Sequence, residues 1–460
     1  MKREKLGSRL GFILLSAGCA IGIGNVWKFP YMAGQNGGGI FVLFYLFFLL
    51  SVGIPVMTME FALGRASQKS PAKIYNELEP VGSKWHWHSY FAVAGQYILM
   101  MFYTVVAGWM LRYCVATANG TLSGLDNAGI ASKFGAMLSN PTELLIYTYI
   151  VIAIGFLVCS FGLQKGLERI TKVMMIALLV IIVVLAVNGL FMEGGREGLA
   201  FYLLPSAERF KAVGFGRVLV GAMNQSFFTL SLGIGAMAIF GSYIGKDRTL
   251  MGESINIAIL DTFVAVVSGL IIFPACFAHG VEPDSGPNLI FITLPNIFNN
   301  LAGGRVWGSL FFVFMSFAAL STVFAMFESI MACTSDFLNC SRKKSCIINL
   351  VAMLVLSLPC IFGFNLLSDI QPLGDGSTIM DLEDFIVSNI LLPLGSLVFV
   401  LFCTSKRGWG WDNFIKEANE GKGIKFPKWL YGYVKYVIPV IILIVFGVGL
   451  FDVLSKAIGA

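Results

Sequence analysis

The chain has 460 residues, of which 57% are hydrophobic and 13% charged, with a mean hydropathy of +0.80 and a formal net charge of +6. Soluble domains carry about 25% charged residues, and a single water-soluble core stops growing near about 250–300 residues. The composition therefore excludes a soluble globular protein and indicates one that lies in a lipid bilayer.

Eleven apolar stretches have the length of about 17–25 residues that a helix needs to cross a bilayer. Runs such as 41–50 and 176–187 are apolar on every side, whereas membrane strands alternate apolar and polar residues. The sequence thus predicts an all-α polytopic membrane protein. The predicted spans are 10–35, 40–64, 89–117, 142–162, 166–192, 216–241, 251–279, 304–337, 346–363, 382–403 and 432–456.

Lys and Arg are distributed unevenly between the predicted loops. If the N-terminus and every second loop lie on one side, that side holds 23 of the 32 basic residues, an excess typical of the cytoplasmic face. We therefore expect a multi-pass protein of the cell (inner or plasma) membrane, with a cytoplasmic N-terminus and an extracytoplasmic C-terminus. The first span is too long for a cleaved signal peptide, so we expect it to remain in the mature protein.

The charge and the reactive residues favour neither nucleic-acid binding nor catalysis. The net charge follows from membrane topology and gives no reason to expect a nucleic-acid partner. The nine cysteines have no CxxC or metal-type spacing, which argues against a disulfide framework and a zinc site. No Ser, Cys or His near the glycine pairs described next has a base in reach, so we expect no enzyme and no catalytic residues.

Two spans carry paired glycines at mid-membrane depth: Gly22 and Gly24 in the first, Gly233 and Gly235 in the sixth. Glycine weakens a helix, and irregular backbone is tolerated at that depth only where it is buried in protein or lines a cavity. Close packing of helices through small residues is the alternative. Paired interruptions in corresponding positions of two halves are typical of a transporter binding site.

Spans one and six lie five helices apart, so corresponding helices cross the membrane in opposite directions. This predicts a 5+5 inverted repeat with broken helices 1 and 6, which works by alternating access. The first repeat would be 10–192 and the second 216–403, with 432–456 as one extra helix, all in a single transporter domain over 1–460.

Six short motifs occur in an order that resembles the neurotransmitter:sodium symporters, in particular their shorter bacterial branch. They are GNVWKFP at 24–30, NGGG at 36–39, GLER at 166–169, QSFFTLS at 225–231, ITLP at 292–295 and ALST at 319–322. The resemblance covers nearly the whole chain and implies sodium-coupled amino-acid transport on the 5+5 fold, with two bound sodium ions.

The resemblance implies a first sodium site built from the carbonyl of Ala20, the side chains of Asn25, Thr229 and Asp261, and the substrate carboxylate. Many relatives have Asn at the position of Asp261, and animal members use bound chloride to balance the sodium charge. A permanent carboxylate would replace that chloride, so we expect no chloride requirement. The alternative is a buried acid paired with a base, but no Lys or Arg is predicted at that depth.

The second sodium site would consist of neutral oxygens. The resemblance assigns it the carbonyls of Gly18, Ile21 and Ala318 and the hydroxyls of Ser321 and Thr322. Without the resemblance, two adjacent hydroxyls in a helix usually bond to the backbone one turn earlier. Since no ligand here has a formal charge, we expect the weaker sodium binding at this site.

A substrate site is implied between the broken helices. The amides of Ile23 and Gly24 and the hydroxyl of Tyr103 would hold a carboxylate, because the N-termini of half-helices carry partial positive charge. The ammonium group would meet the carbonyls of Ala20, Phe228 and Thr229 and the hydroxyl of Ser231. The wall for the substrate side chain would be Leu99, Tyr103, Phe228, Ile234, Thr322 and Met326. It carries no charge, which favours a hydrophobic L-amino acid, aromatic or branched.

Two charged pairs match the gates of the family. Lys28 and Asp384 would close the outer side, and Arg3 and Asp336 the cytoplasmic side; the alternative is that both pairs are ordinary charges at helix ends. Lys cannot form the two-pronged contact that Arg makes with a carboxylate, so we expect a looser outer gate.

Ile176 stands where relatives often have a proline in helix 5. Without that proline, the helix need not kink at this position.

Two further acids lie within spans, Glu60 and Glu328. We expect both to be structural and hydrogen-bonded to broken backbone, with a proton-coupling role for Glu328 as the alternative.

Competing functions for the whole chain are a sodium symporter for another small zwitterion, a non-transporting amino-acid sensor and a channel on the same scaffold. The expected partners are an amino acid and the lipid bilayer, and the oligomeric state is left open.

Overall fold

The computed structural model describes residues 4–190, 194–280 and 287–458, the segment 452–458 by its backbone alone. Within these ranges the chain forms helices and no β-strand, and an isolated bridge joins Arg248 to Lys422. The predicted all-helical fold class is confirmed.

The first half of the chain contains eleven α-helices and three π-helical turns. The α-helices are α1 (Arg9–Ala20), α2 (Phe29–Gln35), α3 (Gly39–Phe48), α4 (Ile54–Ser67), α5 (Ile74–Leu78), α6 (Trp87–Ala118), α7 (Asn127–Leu138), α8 (Pro141–Ser160), α9 (Arg169–Leu190), α10 (Arg196–Leu203) and α11 (Ala207–Val213). The π-helical turns are Gly24–Lys28, Leu49–Gly53 and Leu163–Glu168.

The second half contains eleven more α-helices. They are α12 (Phe215–Thr229), α13 (Ala236–Gly241), α14 (Leu250–Ala278), α15 (Leu294–Asn299), α16 (Gly304–Leu338), α17 (Arg342–Leu356), α18 (Leu358–Phe362), α19 (Ile379–Phe385), α20 (Leu392–Thr404), α21 (Trp411–Ala418) and α22 (Ile438–Ile458). Three π-helical turns, Leu289–Thr293, Ile386–Leu391 and Tyr433–Val437, and a 3-10 turn, Lys428–Leu430, complete the set.

Nine helical stretches among the described residues are long and apolar enough to cross a bilayer, and each coincides with a predicted span. A tenth arises if Arg9–Ala20 and Gly24–Gln35, which are bent by 54° at their junction, form one span. The remaining predicted span, 216–241, is divided into α12 and α13, and neither is long enough to cross alone. The structure thus has many spans, while their number of eleven stays a prediction.

Both predicted breaks are present. Helix α1 ends at Ala20 because Ile21 adopts an extended backbone with φ −74° and ψ 98°. Gly22 packs so closely that an added Cβ would collide with the hydroxyl of Tyr103. Helix α12 ends at Thr229, and φ is positive at Gly233 (93°) and Gly235 (74°), where glycine costs least.

The two breaks lie at the centre of the molecule. Helix α1 packs against α9, α14 and α16, and α16 also packs along α6. Helix α9 is continuous through Ile176, whose side chain is 52% exposed on the outer surface of the protein, as expected for a helix 5 without the proline. The surrounding helices therefore enclose the irregular backbone, as its polar groups require in a membrane.

Candidate sodium and substrate sites

A fully buried carboxylate, Asp261 on α14, joins both broken spans. The side-chain amide of Asn25 donates to its Oδ1 over 2.7 Å, and the hydroxyl of Thr229 donates to its Oδ2 over 3.0 Å. Ala20, whose carbonyl completes the predicted first sodium site, is the last residue of α1. The structure thus places the three predicted side chains of this site in direct contact.

The sequence did not point to a fourth member of this cluster. The hydroxyl of Tyr45 on α3 donates to Oδ2 of Asp261 over 3.3 Å, and its ring packs against Phe29 at 4.7 Å. A single hydroxyl within the apolar run 40–50 was the signal available. Every hydrogen-bond donor found on Asp261 is therefore neutral, which is the arrangement expected where a cation supplies the balancing charge.

The oxygens of the predicted second sodium site also come together. The hydroxyl of Thr322 lies 3.2 Å from the carbonyl oxygen of Gly18 and 3.4 Å from that of Ile21. The hydroxyl of Ser321 lies 3.3 Å from the carbonyl oxygen of Ile21 and 2.9 Å from that of Ala318. The backbone bond predicted as the alternative exists for Ser321, but both hydroxyls also reach across to the broken span.

Helix α9 covers this second cluster. A Cβ added at Gly18 would lie 3.1 Å from Cγ2 of Thr171 and 3.3 Å from Sδ of Met175, both on α9. Helix α9 therefore packs directly against the backbone of Gly18, whose carbonyl belongs to the cluster.

A small cavity lies between the two breaks. Its lining is Cys19, Ala20, Gly22, Gly24, Leu99, Tyr103, Phe228, Ser231, Thr322 and Leu392. Seven of these are predicted substrate residues, whereas Cys19, Gly22 and Leu392 were not predicted. The backbone N–H of Ile23 donates to the hydroxyl of Tyr103 over 2.9 Å, and Ser231 donates to the carbonyl of Cys19 over 3.3 Å. The cavity lining carries no charged side chain among the described residues.

Four predicted substrate residues lie around the cavity rather than on its lining. Ile23 lines the larger space above it, and Thr229 turns to Asp261. Ile234 packs against Gly95, and its carbonyl accepts from Gln96 over 2.7 Å.

Met326 is the fourth, and it sits directly behind the lining. The thiol of Cys19 approaches the sulfur of Met326 at 3.9 Å. Both sulfur atoms are buried next to the cavity.

The two residues of the predicted outer gate, Lys28 and Asp384, form an ion pair in this structure. Nζ of Lys28 lies 2.8 and 2.9 Å from the two carboxylate oxygens of Asp384, and 3.0 Å from the hydroxyl of Ser388. The same ammonium group lies 4.0 Å from the centre of the Phe228 ring. Ser388 was not predicted, although its position four residues after Asp384 puts both on one helix face.

A vestibule of about 300 Å³ lies next to this ion pair, and its lining includes Trp27, Lys28 and Asp384. Tyr103 and Phe228 line both this vestibule and the small cavity. These two rings therefore form the partition between the two spaces.

At the opposite end, Oδ2 of Asp336 accepts from the backbone N–H of Ser70 over 2.8 Å. Its predicted partner, Arg3, lies outside the described residues. The expected bond of Glu60 to broken backbone is present, since its carboxylate accepts from the backbone N–H of Gly233 over 2.6 Å.

For Glu328 the expected bond to broken backbone is wrong. Its carboxylate pairs with Arg342, including a 3.0 Å contact from Nη1, and accepts from the hydroxyl of Tyr243 over 2.8 Å. The side chain of Glu328 is only 1% exposed, so the nearby cation replaces backbone as its partner.

The chain is similar in sequence to known sodium-dependent transporters. The family model "Sodium:neurotransmitter symporter family" matches residues 3–126 and 131–459. An uncharacterized sodium-dependent transporter of Bacillus subtilis (strain 168), YhdH, is 35% identical over 97% of each chain. The sodium- and chloride-dependent GABA transporter 2 of Bos taurus is 26% identical over 75% of this chain and 64% of its own length.

Among solved structures, the crystal structure of MhsT in complex with L-phenylalanine superposes with a TM-score of 0.88 at 36% identity. The match covers 96% of this chain and 99% of that one. The comparisons confirm the resemblance inferred from the motifs, and with it a multi-pass sodium-dependent transporter rather than an enzyme. The chain belongs to the sodium:neurotransmitter symporter family.

Proposed function

We propose that the protein is a sodium-coupled symporter that imports a hydrophobic L-amino acid, aromatic or branched, by alternating access. The observation that carries the proposal is the buried carboxylate of Asp261, which is held by neutral groups from α3, α12 and the broken first span. A buried charge is costly unless a counter-charge accompanies it. A sodium ion that enters with the substrate supplies this charge.

The first sodium ion would bind between Asp261, Thr229, Asn25 and the Ala20 carbonyl. Oδ1 of Asn25 accepts from the backbone N–H of Gly22 over 3.2 Å, and its nitrogen faces Asp261. Since a cation takes oxygen ligands, the amide would have to turn its oxygen toward the ion. Sodium binding would thereby release the N–H of Gly22 inside the break.

The second sodium ion would bind the oxygens of Gly18, Ile21, Ala318, Ser321 and Thr322. Hydroxyl and carbonyl oxygens lie 2.9–3.4 Å apart in this cluster. The ion would tie the first span to α16, and its loss would free α1 to move. We propose that this site binds sodium more weakly than the first because none of its ligands is charged.

The substrate would occupy the small cavity between the two breaks. Its carboxylate would meet the Tyr103 hydroxyl, the amides of Ile23 and Gly24, and the first sodium ion. Its ammonium group would meet the hydroxyl of Ser231 and the carbonyls of Ala20, Phe228 and Thr229. The uncharged wall supports an apolar side chain, and the ligand named for the MhsT structure, L-phenylalanine, is of this class.

For the architecture, we propose eleven spans in a 5+5 inverted repeat, with 10–192 and 216–403 as the repeats and 432–456 outside them. The N-terminus would be cytoplasmic and the C-terminus extracytoplasmic. The closed pair of Lys28 and Asp384 would then seal the outer side, and alternating access would require the inner side to close around Asp336 before this pair opens.

We further propose that transport needs no chloride. Asp261 would carry permanently the negative charge that a chloride ion provides in chloride-dependent relatives, so a bound anion would add nothing to the balance. Replacement of chloride by gluconate at constant sodium should leave uptake unchanged, and loss of uptake would contradict this point.

A binding screen tests the central proposal. The purified protein is titrated with each of the twenty amino acids in sodium and in potassium, and each ligand that binds is then followed in proteoliposomes under a sodium gradient. We expect sodium-dependent binding and accumulation of aromatic or branched residues. Binding without accumulation would indicate a sensor, current without substrate a channel, and a preference for another zwitterion would overturn the substrate class.

A further inference from the structure

A buried acid next to the outer gate has no role in the scheme above. Glu383 immediately precedes the gate residue Asp384 on α19, is 4% exposed, and has no N–H or O–H donor at either carboxyl oxygen among the described residues. Two residues after Asp384 the helix enters the π-helical turn Ile386–Leu391. Such turns often mark functional hinges, so Glu383 lies where gate movement would change its surroundings.

The groups around Glu383 offer no compensating charge. On its own helix, Asp381 accepts from Thr378 over 2.7 Å and Asp384 is paired with Lys28. From α18 the thiol of Cys360 faces its carboxyl.

Helix α6 packs against both α18 and α19. On this part of α6 the titratable and charged groups are Tyr103, Arg112, Tyr113 and Cys114, and Arg112 is held by Glu143. The two cations near this junction, Lys28 and Arg112, are thus both engaged by other acids.

An ionised carboxylate in this place would be desolvated with only the weak thiol donor of Cys360 and no cation, a state that proteins avoid. The protonated acid avoids that cost. Glu383 therefore fits the closed gate as a neutral acid. If α19 moves outward when the gate opens, water reaches the carboxyl and allows it to ionise.

We propose that Glu383 is a proton-binding site coupled to the outer gate. When the gate closes, one proton passes from the outer solution to the carboxylate of Glu383; when the gate opens, the proton returns to water, and no other bond changes. Low pH outside therefore favours the closed gate. The proposal rests on the proposed function in one respect: the test below uses substrate binding to close the gate.

Thermodynamic linkage between proton binding and gate closure makes the proposed proton site measurable through substrate affinity. Since closure binds a proton, the affinity for a substrate that closes the gate falls as pH rises, by up to tenfold per pH unit for one proton. The test titrates L-phenylalanine at saturating sodium chloride from pH 5.5 to 8.5. It also follows proton uptake with an indicator dye in weak buffer when L-phenylalanine is added.

Wild-type protein should take up close to one proton per bound amino acid, and Glu383→Gln should remove that uptake and flatten the affinity profile. Asp375→Asn is the matched control, because Asp375 is an exposed acid in the segment before α19, and it should behave as wild type. Saturating sodium keeps Asp261 in the same state in all variants. If the Glu383→Gln variant folds poorly, Glu383→Met takes its place, because methionine is apolar and also cannot bind a proton.

The absence of proton uptake by the wild-type protein overturns the proposal whatever the variants do, as does an equal slope in wild type and Glu383→Gln. If wild type bound no amino acid at all, the proposed function would fail first. Binding without a proton would refute the proton site alone.

Discussion

The side-chain nitrogen of Asn25 lies 2.7 Å from Oδ1 of Asp261, a contact that ties the broken first span to α14. Because the other donors on Asp261 are also neutral, its carboxylate is the one formal charge that the protein itself brings to the predicted first sodium site. Replacing Asp261 with asparagine keeps the shape of the cluster and removes this charge.

The first prediction concerns Asp261→Asn. Interactions with a charged group are worth about 1.5 kcal/mol more than neutral ones, so sodium affinity should fall about tenfold. Sodium titration of substrate binding measures this. The same variant should gain a dependence on chloride, which gluconate replacement would reveal; unchanged sodium affinity would show that the ion binds elsewhere.

The second prediction concerns the hydroxyl of Thr322, which contacts Gly18 and Ile21 across the break. Thr322→Val keeps the shape of the side chain but removes one neutral oxygen ligand. We expect sodium affinity to fall about threefold, less than for Asp261→Asn, together with a lower Hill coefficient. Ser329→Ala, which removes a buried hydroxyl farther along the same helix, is the control and should be silent. Equal losses at Thr322 and Asp261 would contradict the proposed ranking.

The sequence was sufficient for local features and for the family's motifs, but less so for pairings between distant segments. The glycine pairs predicted both breaks because positive φ and close backbone approach leave glycine as the cheapest residue. No local signal connects Tyr45 with Asp261, or Glu328 with Arg342, because these contacts depend on how helices pack. Ser388 falls between these cases: its spacing from Asp384 could be read from the sequence, whereas its hydrogen bond to Lys28 could not.

The third prediction concerns the gate. Lys28→Ala removes a partly exposed ion pair and the contact with the Phe228 ring, worth together about 1–2 kcal/mol. Bound substrate should then escape to the outer side about tenfold faster, while Lys28→Arg, which can form a two-pronged contact, should slow escape below the wild-type rate. Stopped-flow dissociation measures both. Lys133→Ala, an exposed lysine on α7, serves as the control, and equal rates in all four proteins would argue against the gate.

The fourth prediction concerns the Glu328–Arg342 pair. Arg342→Gln would leave a carboxylate that is 1% exposed without its cation, so we expect a loss of about 3 kcal/mol of stability, seen as a lower thermal midpoint in detergent. Glu328→Gln should recover part of the loss when combined with it, since no charge then remains buried. If Glu328→Gln alone abolished sodium-driven uptake while the protein stayed folded, a proton-coupling role for Glu328 would replace the structural one.

The last prediction concerns the two sulfur atoms beside the cavity, Cys19 and Met326, which lie 3.9 Å apart. Sulfur makes favourable contacts with aromatic rings, worth about 0.3–1.5 kcal/mol, whereas a hydroxyl of similar size does not. Cys19→Ser should therefore lower the affinity for phenylalanine relative to leucine by about twofold to tenfold. Competition binding at fixed sodium gives the ratio directly, and Cys276→Ser, a buried cysteine on α14 away from the cavity lining, controls for general effects of the change. A ratio that did not move would mean that the substrate side chain does not reach Cys19, and would place it toward Leu99 and Leu392 instead.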